Sequence, residues 1–444
     1  VAGSNISAAG NVIAGFDTSS AGQLTVTFQN NGTFATTALV NEVMQAIRYS
    51  NTSNESAASV QLNWSFSDGN SANAQGTGDN PGTAGGFTTA SITNINDAPT
   101  LSATGRNPTY VEGAGAVDLF NTVAASTVEA LDRISSLSLT VTNVSDGASE
   151  ILGFDGSDVA LTDANSVTTA TNALSVTVSV TGSTATVSFS GATLSSAQSQ
   201  TLVDALTYHH TSDNPTTAGN RVLTITGLVD NGGTAGGGFD SSAPNLSSTV
   251  SLTAVNDPPV IANFHGDNNP VTPGSSANID LDSDATVSNA DSADYNGGSL
   301  SITDLGGNNT ANGNFAVDGV NVRAGFDETI SAGESIEVSG VSIGTAHVSD
   351  DGQGGNNLTI NFNGNANEER VQSLLRNLSW GAAAGNGAQT FTATLNDADG
   401  TANSGDQDVT ANFTMTLSNA PSLGGTPADA SIDEDTPTAI DLSA

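Results

Sequence analysis

The chain has 444 residues with 45 acidic side chains, seven basic side chains and no cysteine, which gives a formal net charge of −38 at pH 7. This charge argues against nucleic acid or an anionic membrane as a partner, because both would repel the protein. The length predicts about three domains, and each needs a core large enough to fold without disulfides. The apolar residues occur in short alternating segments, a pattern that favours half-buried strands over disorder.

The first copy of a recurring pattern starts with an alternating segment at residues 24–28, which predicts a strand. Apolar residues at helical spacing follow over residues 39–47, and this helical pattern stops at Tyr49. A further strand then leads into an acidic turn at Asp68. A glycine-rich segment, a last strand and a proline-containing linker complete the copy.

The same order of elements returns twice. The strand, helical pattern and aromatic residue are 185–189, 194–206 and Tyr208 in the second copy, and 358–362, 371–378 and Trp380 in the third. Leu202 and Leu374 lie on the apolar stripes of their helices and are predicted to be buried, as are Trp64 and Trp380. The equivalent strands begin at residues 24, 185 and 358. Repeats this far apart are whole domains, because solenoid units repeat every ~20–50 residues.

Each copy ends in a linker in which proline follows Asn after one or two intervening residues, at residues 93–99, 253–259 and 416–421. Proline fixes φ and holds the preceding residue extended, which stiffens the connection. The predicted boundaries are 1–96 for the first repeat, which lacks its opening strands, 97–256 for the second, 257–419 for the third, and 420–444 for the opening strands of a fourth repeat or a donor tail.

The tail repeats a short motif of the earlier copies, because residues 439–442 match residues 116–119 and 278–281. Two interpretations stay open. The chain is a window on a longer polypeptide, or the tail of one subunit completes the first repeat of the next by strand donation. In the second case we expect Ile440 and Leu442 to lie beside the strand at residues 24–28.

The Asn-Asp-(Ala/Pro)-Pro linkers, each followed by an acidic segment, resemble those of cadherin-like tandem repeats, and most closely those of giant bacterial surface proteins and adhesins. The resemblance implies an all-β fold: tandem Ig-like (cadherin-like) β-sandwich domains in a linear array, each with one short helix in this chain. It also implies Ca²⁺ binding at the domain junctions. Calcium takes six to eight oxygen ligands, which several carboxylates and carbonyls in one seam could supply.

The candidate calcium ligands lie near the three linkers. At the first junction they are Asp68, Asn94, Asn96, Asp97, Glu129 and Asp132. At the second junction they are Glu112, Asp230, Asn256, Asp257, Asp291 and Asp294. At the third junction they are Asp397, Asp399, Asn419, Asp433, Glu434 and Asp435.

These features predict an extracellular structural or adhesive rod or filament, stiffened by calcium and assembled head to tail. Its partners are further copies of itself or the rest of a longer polypeptide, as in a bacterial surface protein or biofilm matrix. The alternative is a carbohydrate-binding or other ligand-binding module that recognises cell-surface glycans, with glycine-rich segments 76–87 and 232–239 as its binding edge.

An enzyme is not expected, because the sequence has no cysteine nucleophile, phosphate-binding glycine loop or Gly-x-Ser-x-Gly elbow. The adjacent His209 and His210 could ligate a metal, but their pattern favours a surface pair at a strand edge.

Overall fold

The computed structural model describes residues 4–8, 11–29, 35–69, 82–264, 268–307, 312–325 and 327–418. Asn419, Asp433, Glu434 and Asp435 therefore lie outside the described residues, as does the tail. Contacts divide the chain into two compact units. The first contains residues up to 99 together with 127–132 and 230–241, and the second contains 100–126, 133–229 and the residues from 242 onward.

The first unit contains a small antiparallel sheet, a hairpin and a helix. Its elements are β1 (Ser4–Ala8), β2 (Asn11–Asp17), β3 (Thr25–Phe28), α1 (Thr37–Ala46), β4 (Ser59–Ser67) and β5 (Thr83–Ser91). Strands β1, β2 and β3 pair in that order, and β4 pairs with β5. Helix α1 begins after Thr36, whose side-chain oxygen accepts a hydrogen bond from the N–H of Leu39. The predicted first strand and first helix are therefore present.

The core of the first unit is open in its described part. No residue of α1 is buried, and clefts of about 420 and 510 Å³ lie beside the helix. The prediction that Trp64 is a core residue is wrong, because 43% of this side chain is exposed. Trp64 lines the larger cleft, and Gly86 lies opposite it on β5. A β-hairpin with one covering helix cannot enclose an indole ring on all sides.

The second repeat forms a sandwich of two sheets. Its elements are β6 (Thr100–Gly105), β7 (Thr109–Val111), β8 (Val117–Asp118), β9 (Phe120–Ser126), β10 (Ile134–Thr142), β11 (Glu150–Phe154), β12 (Ser157–Ala160), β13 (Ser166–Thr168), β14 (Ser175–Thr181), β15 (Thr184–Phe189), α2 (Ser196–Asp204), β16 (Thr207–His210), β17 (Arg221–Asp230), β18 (Ser241–Ser242) and β19 (Leu246–Thr253). One sheet runs in the order β13-β14-β15-β10-β17-β19-β7 and the other in the order β12-β11-β16-β8, while β6 pairs with β9.

The third repeat has the same plan. Its elements are β20 (Val260–Ala262), β21 (Asn268–Val271), β22 (Ser276–Asn278), β23 (Thr286–Ser288), β24 (Ser299–Gly307), β25 (Gly313–Val317), β26 (Val322–Ala324), β27 (Ser335–Val338), β28 (Val341–Asp351), β29 (Leu358–Phe362), α3 (Glu368–Arg376), β30 (Leu378–Ala382), β31 (Gly387–Asn396) and β32 (Asp408–Leu417). The large sheet runs β21-β32-β31-β24-β29-β28-β27-β26 and the small sheet β22-β30-β25, while β20 pairs with β23.

An early strand pairs in parallel with the last strand in both complete repeats. Strand β7 lies parallel to β19, and β21 lies parallel to β32, whereas β17–β19 and β31–β32 are antiparallel pairs. Each repeat has its own cluster of buried apolar side chains, one within residues 110–252 and the other within 264–417. The predicted fold class, all-β with tandem Ig-like (cadherin-like) sandwich domains that each carry a short helix, is confirmed.

The helices of the complete repeats pack into these cores. Leu202 on α2 and Leu374 on α3 are 2% and 0% exposed, so their predicted burial is confirmed. The aromatic residues Tyr208 and Trp380 are buried as well, but they belong to the strand that follows each helix. Each helix ends four residues before the aromatic residue at which it was expected to end, at Asp204 and Arg376, because the alternation of the next strand overlaps the helical spacing.

Leu374→Ala should lower the free energy of unfolding of the third repeat by about 2–5 kcal/mol, because it leaves a cavity beneath α3. Met44→Ala on α1 is the matched control: 43% of that side chain is exposed, so the loss should stay below about 1 kcal/mol. Urea unfolding, followed by the fluorescence of Trp64 and Trp380, measures both variants. Equal stability of Leu374→Ala and the parent chain would contradict the placement of α3.

Candidate functional site

The linker residue Asn96 is bound to the acidic turn and the glycine-rich segment of the second repeat. Its side-chain N–H group donates to Oδ1 of Asp230 at 3.0 Å and to the carbonyl of Phe239 at 2.8 Å. The backbone carbonyl of Asn96 accepts from the N–H of Phe239 at 2.9 Å. A methyl group on Gly232 would overlap Oδ1 of Asn96 and approach Oδ2 of Asp132 to 2.6 Å. These side-chain oxygens therefore converge at one place, which we call the first seam.

Asn256 makes the same contacts at the second linker. Its side-chain N–H group donates to both carboxylate oxygens of Asp397 at 3.3 Å and to the carbonyl of Asp406 at 2.6 Å. Its backbone carbonyl accepts from the N–H of Asp406 at 3.0 Å. The second linker and its surroundings, which we call the second seam, therefore repeat the geometry of the first.

The structure corrects the predicted grouping of the acidic turns. Asp230 was expected at the second junction and Asp397 with Asp399 at the third, but Asp230 contacts Asn96 and Asp397 contacts Asn256. After each acidic turn one long strand, β19 or β32, carries the chain to its outgoing linker. Because one strand crosses the length of the sandwich, the turn lies at the opposite end, beside the incoming linker.

At the first seam, the loop at residues 127–132 brings Glu129 and Asp132 to the linker. Oε1 of Glu129 accepts from the N–H of Asp97 at 3.2 Å. Asn94 lines the same cleft, but its Oδ1 already accepts from the N–H of Ser56 at 3.2 Å. Asp68 is not part of this cleft and lines the pocket beside α1 instead. Asp68 is therefore not a ligand candidate at the first seam. This agrees with the other two acidic turns, which lie beside the incoming linker of their repeat.

At the second seam, three carboxylates from different segments meet. Glu112 lies after β7 of the second repeat, Asp257 in the linker and Asp291 after β23 of the third repeat, and one oxygen of each lies within 4.8 Å of the other two. Oδ2 of Asp291 accepts from the N–H of Asp257 at 2.6 Å, and Oε2 of Glu112 accepts from the N–H of Val255 at 2.8 Å.

Two other candidates differ in their positions relative to the second seam. Asp399 lines the same cleft as Asn256 and Asp291. Asp294 does not join the three-carboxylate cluster, and its Oδ1 accepts from the N–H of Asn296 at 3.0 Å in a local turn. Asp294 therefore serves as a turn residue.

Several buried oxygens at the seams accept no hydrogen bond from the described residues. They are Oδ1 of Asn96 and Oε2 of Glu129 at the first seam, and Oε1 of Glu112 and Oδ1 of Asn256 at the second. A buried acceptor without a partner costs about 1–3 kcal/mol, and more if it is charged. These oxygens therefore need a partner that the described protein groups do not supply.

The seam carboxylates have raised pKa values. Burial raises the pKa of Glu112, and the nearby charges of Asp291 and Asp257 raise it further. Burial likewise raises the pKa of Asp291, with added repulsion from Asp257 and Asp399. At the first seam, burial raises the pKa values of Glu129 and Asp230, and Asp132 adds repulsion to both. None of the ion pairs with arginine or histidine among the described residues includes Glu112, Asp257 or Asp291.

A second acidic cluster, in the second repeat, already has a protein cation. Asp146, Glu150 and His210 lie close enough to hold a metal, but the buried Arg221 guanidinium donates to Glu150 from Nε at 3.0 Å and from Nη2 at 2.9 Å. Nε2 of His210 lies 3.0 Å from Oδ2 of Asp146. Arg221 thus supplies the positive charge, and this cluster is an internal ion pair.

Sequence reasoning missed the ion pair and misplaced one histidine. His210 is 5% exposed and hydrogen-bonded, so the prediction that it forms a surface pair with His209 is wrong for His210. The side chain of His209 remains 20% exposed. A usable signal existed: in a chain with only seven basic residues, Arg221 opens an apolar alternating strand, Val222-Leu-Thr-Ile225.

Arg221→Met should lower the free energy of unfolding by about 3–5 kcal/mol, because it leaves the Glu150 carboxylate buried without its partner. The double variant Arg221→Met, Glu150→Gln should recover most of this loss. Arg106→Met is the control, since Arg106 and Asp118 form an exposed pair at 3.9 Å that contributes about 0–1 kcal/mol. Urea unfolding measures all three. A double variant no more stable than Arg221→Met would contradict the assigned pair.

The two acidic sites predict opposite pH dependences. Burial alone would raise the pKa of Glu150, but the hydrogen bonds and charge of Arg221, together with hydrogen bonds from the N–H groups of Ser145 and Asp146, outweigh it and lower that pKa below 4.5. Its contribution to stability is present above this value and lost as pH falls through the folded-state pKa. The raised pKa of Glu112 has the reverse effect: its contribution is present below 4.5 and lost as pH rises through the folded-state pKa.

In EDTA, Glu112→Gln should therefore reduce the loss of stability between pH 4 and pH 7, whereas Glu150→Gln should reduce the loss on acidification. Urea unfolding at a series of pH values measures both slopes. A parent-like pH profile for Glu112→Gln would contradict the repulsion assigned to the second seam.

The α-helices among the described residues have nine or ten residues each, and no helix there is long and apolar enough to cross a membrane.

No family model matches this chain, and no curated protein matches it. Among solved structures, it is similar to the human desmocollin-1 ectodomain at 10% identity, with a TM-score of 0.24 over 85% of this chain and 50% of that one. It is similar to mouse cadherin-23 EC22-24 at 12% identity, with a TM-score of 0.22 over 82% of this chain and 76% of that one. Tandem Ig repeats of Dlar match at 9% identity, with a TM-score of 0.12 over 72% of this chain and 98% of that one. The chain spans about half the length of the desmocollin-1 ectodomain.

Proposed function

We propose that this chain is part of an extracellular structural or adhesive rod of a bacterial surface protein, whose Ig-like repeats are stiffened by Ca²⁺ at the seams. The observation that carries the proposal is the convergence at the second seam of three carboxylates, from Glu112, Asp257 and Asp291, next to Asn256, which lines a cleft together with Asp291. Two of these residues present a buried oxygen that accepts no hydrogen bond from the described groups.

The donor set at the second seam suits calcium. Every candidate ligand is a carboxylate or amide oxygen, and Ca²⁺ takes six to eight hard oxygens in flexible geometry. The three clustered carboxylates and Oδ1 of Asn256 provide four donor groups, and Asp399 lines the same cleft. Bidentate carboxylates and water would complete such a shell. Sulfur and imidazole, which zinc prefers, are absent from this donor set.

A cation at this position would join the two repeats mechanically. Glu112 belongs to the second repeat, Asp291 to the third and Asp257 to the connection between them. Without a cation, burial raises the pKa values of Glu112 and Asp291, and repulsion from the neighbouring carboxylates adds to this effect. A bound divalent ion would replace this repulsion by attraction to one shared centre, so each seam would resist bending. Repeated along the chain, such seams would produce a rod that can assemble head to tail.

The alternative of a ligand-binding edge gains no support from the glycine-rich segment 232–239. The N–H and the carbonyl of Phe239 are both hydrogen-bonded to Asn96, so the end of this segment is part of the first seam. The proposal assigns the chain no catalytic reaction.

Calcium should bind the full chain and raise its melting temperature, and EDTA should reverse the effect. A ligand that binds only the folded state adds about 2.7 kcal/mol at a hundredfold excess over Kd. Isothermal titration calorimetry measures the binding, and calorimetric melting measures the stability. The maximum dimension from small-angle scattering should fall in EDTA, as the joints become flexible.

Variants at the second seam locate the effect. Asp291→Asn and Glu112→Gln should each remove calcium binding at this seam and weaken the stabilisation of the complete repeats. Asp118→Asn is the matched control, because the exposed Asp118 lies outside the seam and should leave the calcium response unchanged. Equal calcium responses of all three variants, or unchanged melting and shape in EDTA, would refute the proposal.

A further inference from the structure

In both complete repeats, a short strand from the beginning of the repeat pairs with the strand that follows the helix. In the second repeat, β8 pairs antiparallel with β16, with Val117 opposite Tyr208 and Asp118 opposite Thr207. In the third, β22 pairs antiparallel with β30, with Ala277 opposite Trp380 and Asn278 opposite Ser379.

The next residue inserts an apolar side chain in both cases. The N–H of Leu119 donates to the carbonyl of Leu206 at 3.0 Å, and the N–H of Ile279 donates to the carbonyl of Leu378 at 2.9 Å. All four of these side chains are fully buried, at 0–1% exposure. The two repeats thus share one pairing register, in which Ile279 takes the place of Leu119. The match of residues 116–119 with 278–281 in the sequence is therefore two residues out of register with the structure.

In the first unit, residues 47–49 correspond to the strand that follows the helix, and we call them the receiving segment. No strand pairs with them among the described residues. Ala46-Ile47-Arg48-Tyr49 follows α1 as Ala205-Leu-Thr-Tyr208 follows α2. In the described part of the chain, residues 47–50 belong to no strand. Ile47 and Tyr49 are 48% and 45% exposed, whereas their counterparts Leu206 and Tyr208 are buried. Ile47 also lines the open cleft of about 420 Å³ beside α1.

The sequence carries a further copy of the inserted motif. Ile440-Asp-Leu442 repeats Ile279-Asp-Leu281. We propose that this segment of a second copy of the chain pairs antiparallel with residues 47–49, with Ile440 in the place of Ile279, Ala439 opposite Arg48 and Thr438 opposite Tyr49. Different surfaces meet in this contact, so copies add head to tail, and the rotation between them decides whether the array stays open or closes.

Charge favours the same occupant. Arg48 is one of only seven basic residues in a chain of net charge −38, and it lies in the receiving segment. Asp441 and the acidic run 433–435 lie on either side of the residues that pair. In an antiparallel pair, residues two positions from a directly opposite partner remain within reach of a long side chain. Arg48 can therefore attract Asp441, where most of the chain would repel it.

This register differs from the first expectation for the tail in one testable respect. The tail is identical to the third repeat over Ile-Asp-Leu, and there Ile279 is 1% exposed whereas Leu281 is 53% exposed. In the Val-Asp-Leu motif of the second repeat, by contrast, Leu119 is the buried residue. Ile440 should therefore be essential for association and Leu442 should not, although both are apolar. The inference rests on the proposed head-to-tail array but not on calcium at the seams.

Disulfide trapping tests the register, because the chain has no native cysteine. A chain carrying Arg48→Cys, mixed with a second chain carrying Ala439→Cys under mild oxidation, should form a covalent heterodimer. The control partner carries Asp441→Cys, two residues out of register, and should cross-link several-fold less. Equal yields with both partners, or no cross-link in either mixture, would overturn the inference. So would intramolecular closure of the double variant Arg48→Cys, Ala439→Cys at every chain concentration.

Sedimentation velocity across a concentration series provides the second test. Ile440→Asp should weaken self-association at least about tenfold, a loss of 1.4 kcal/mol, while Leu442→Asp should weaken it much less. Both substitutions add one negative charge, so a general charge effect would move them equally and would overturn the register. The calcium-dependent melting of the complete repeats is recorded for the same variants. If that response persists while association is insensitive to Ile440→Asp, the strand pairing fails and the calcium proposal stands.

Discussion

Repulsion between carboxylates gathered at the linkers is the constraint on which the rest of this molecule depends. A chain with 45 acidic and seven basic residues cannot neutralise its own charge by ion pairs. One arginine, Arg221, forms a buried ion pair with Glu150 inside a sandwich. Glu112, Asp257 and Asp291 lie together at the second seam. The directions of the pKa values separate the two environments: the pKa falls where a protein cation is present and rises where none is.

The linker asparagines position the seams. Asn96 and Asn256 each use the side-chain N–H group and the backbone carbonyl to bind the repeat that follows. Their buried Oδ1 atoms accept no hydrogen bond from the described residues. A single residue type therefore fixes the linker and offers a ligand. Aspartate could not replace asparagine without losing the donated hydrogen bonds and adding another negative charge.

The sequence was sufficient to predict the repeated strands, the helices and the burial of Leu202 and Leu374, because these depend on local periodicity. It was insufficient for the acidic turns, since assigning Asp230 to a seam requires the direction of the strand that follows. The ion pair between Arg221 and Glu150 was missed because these two residues are distant from each other in the sequence. The exposure of Trp64 had no local signal either, since burial of an indole depends on the elements that cover it.

The most direct test of the calcium account is anomalous diffraction from crystals of the full chain grown with Ca²⁺. The account predicts an anomalous peak between the carboxylates of Glu112, Asp257 and Asp291, with oxygens at about 2.3–2.6 Å and Oδ1 of Asn256 in the coordination shell. A second peak is expected beside Asn96 and Glu129. Anomalous maps without a peak at either seam at millimolar calcium, with the carboxylates turned apart or hydrogen-bonded to one another, would contradict the account.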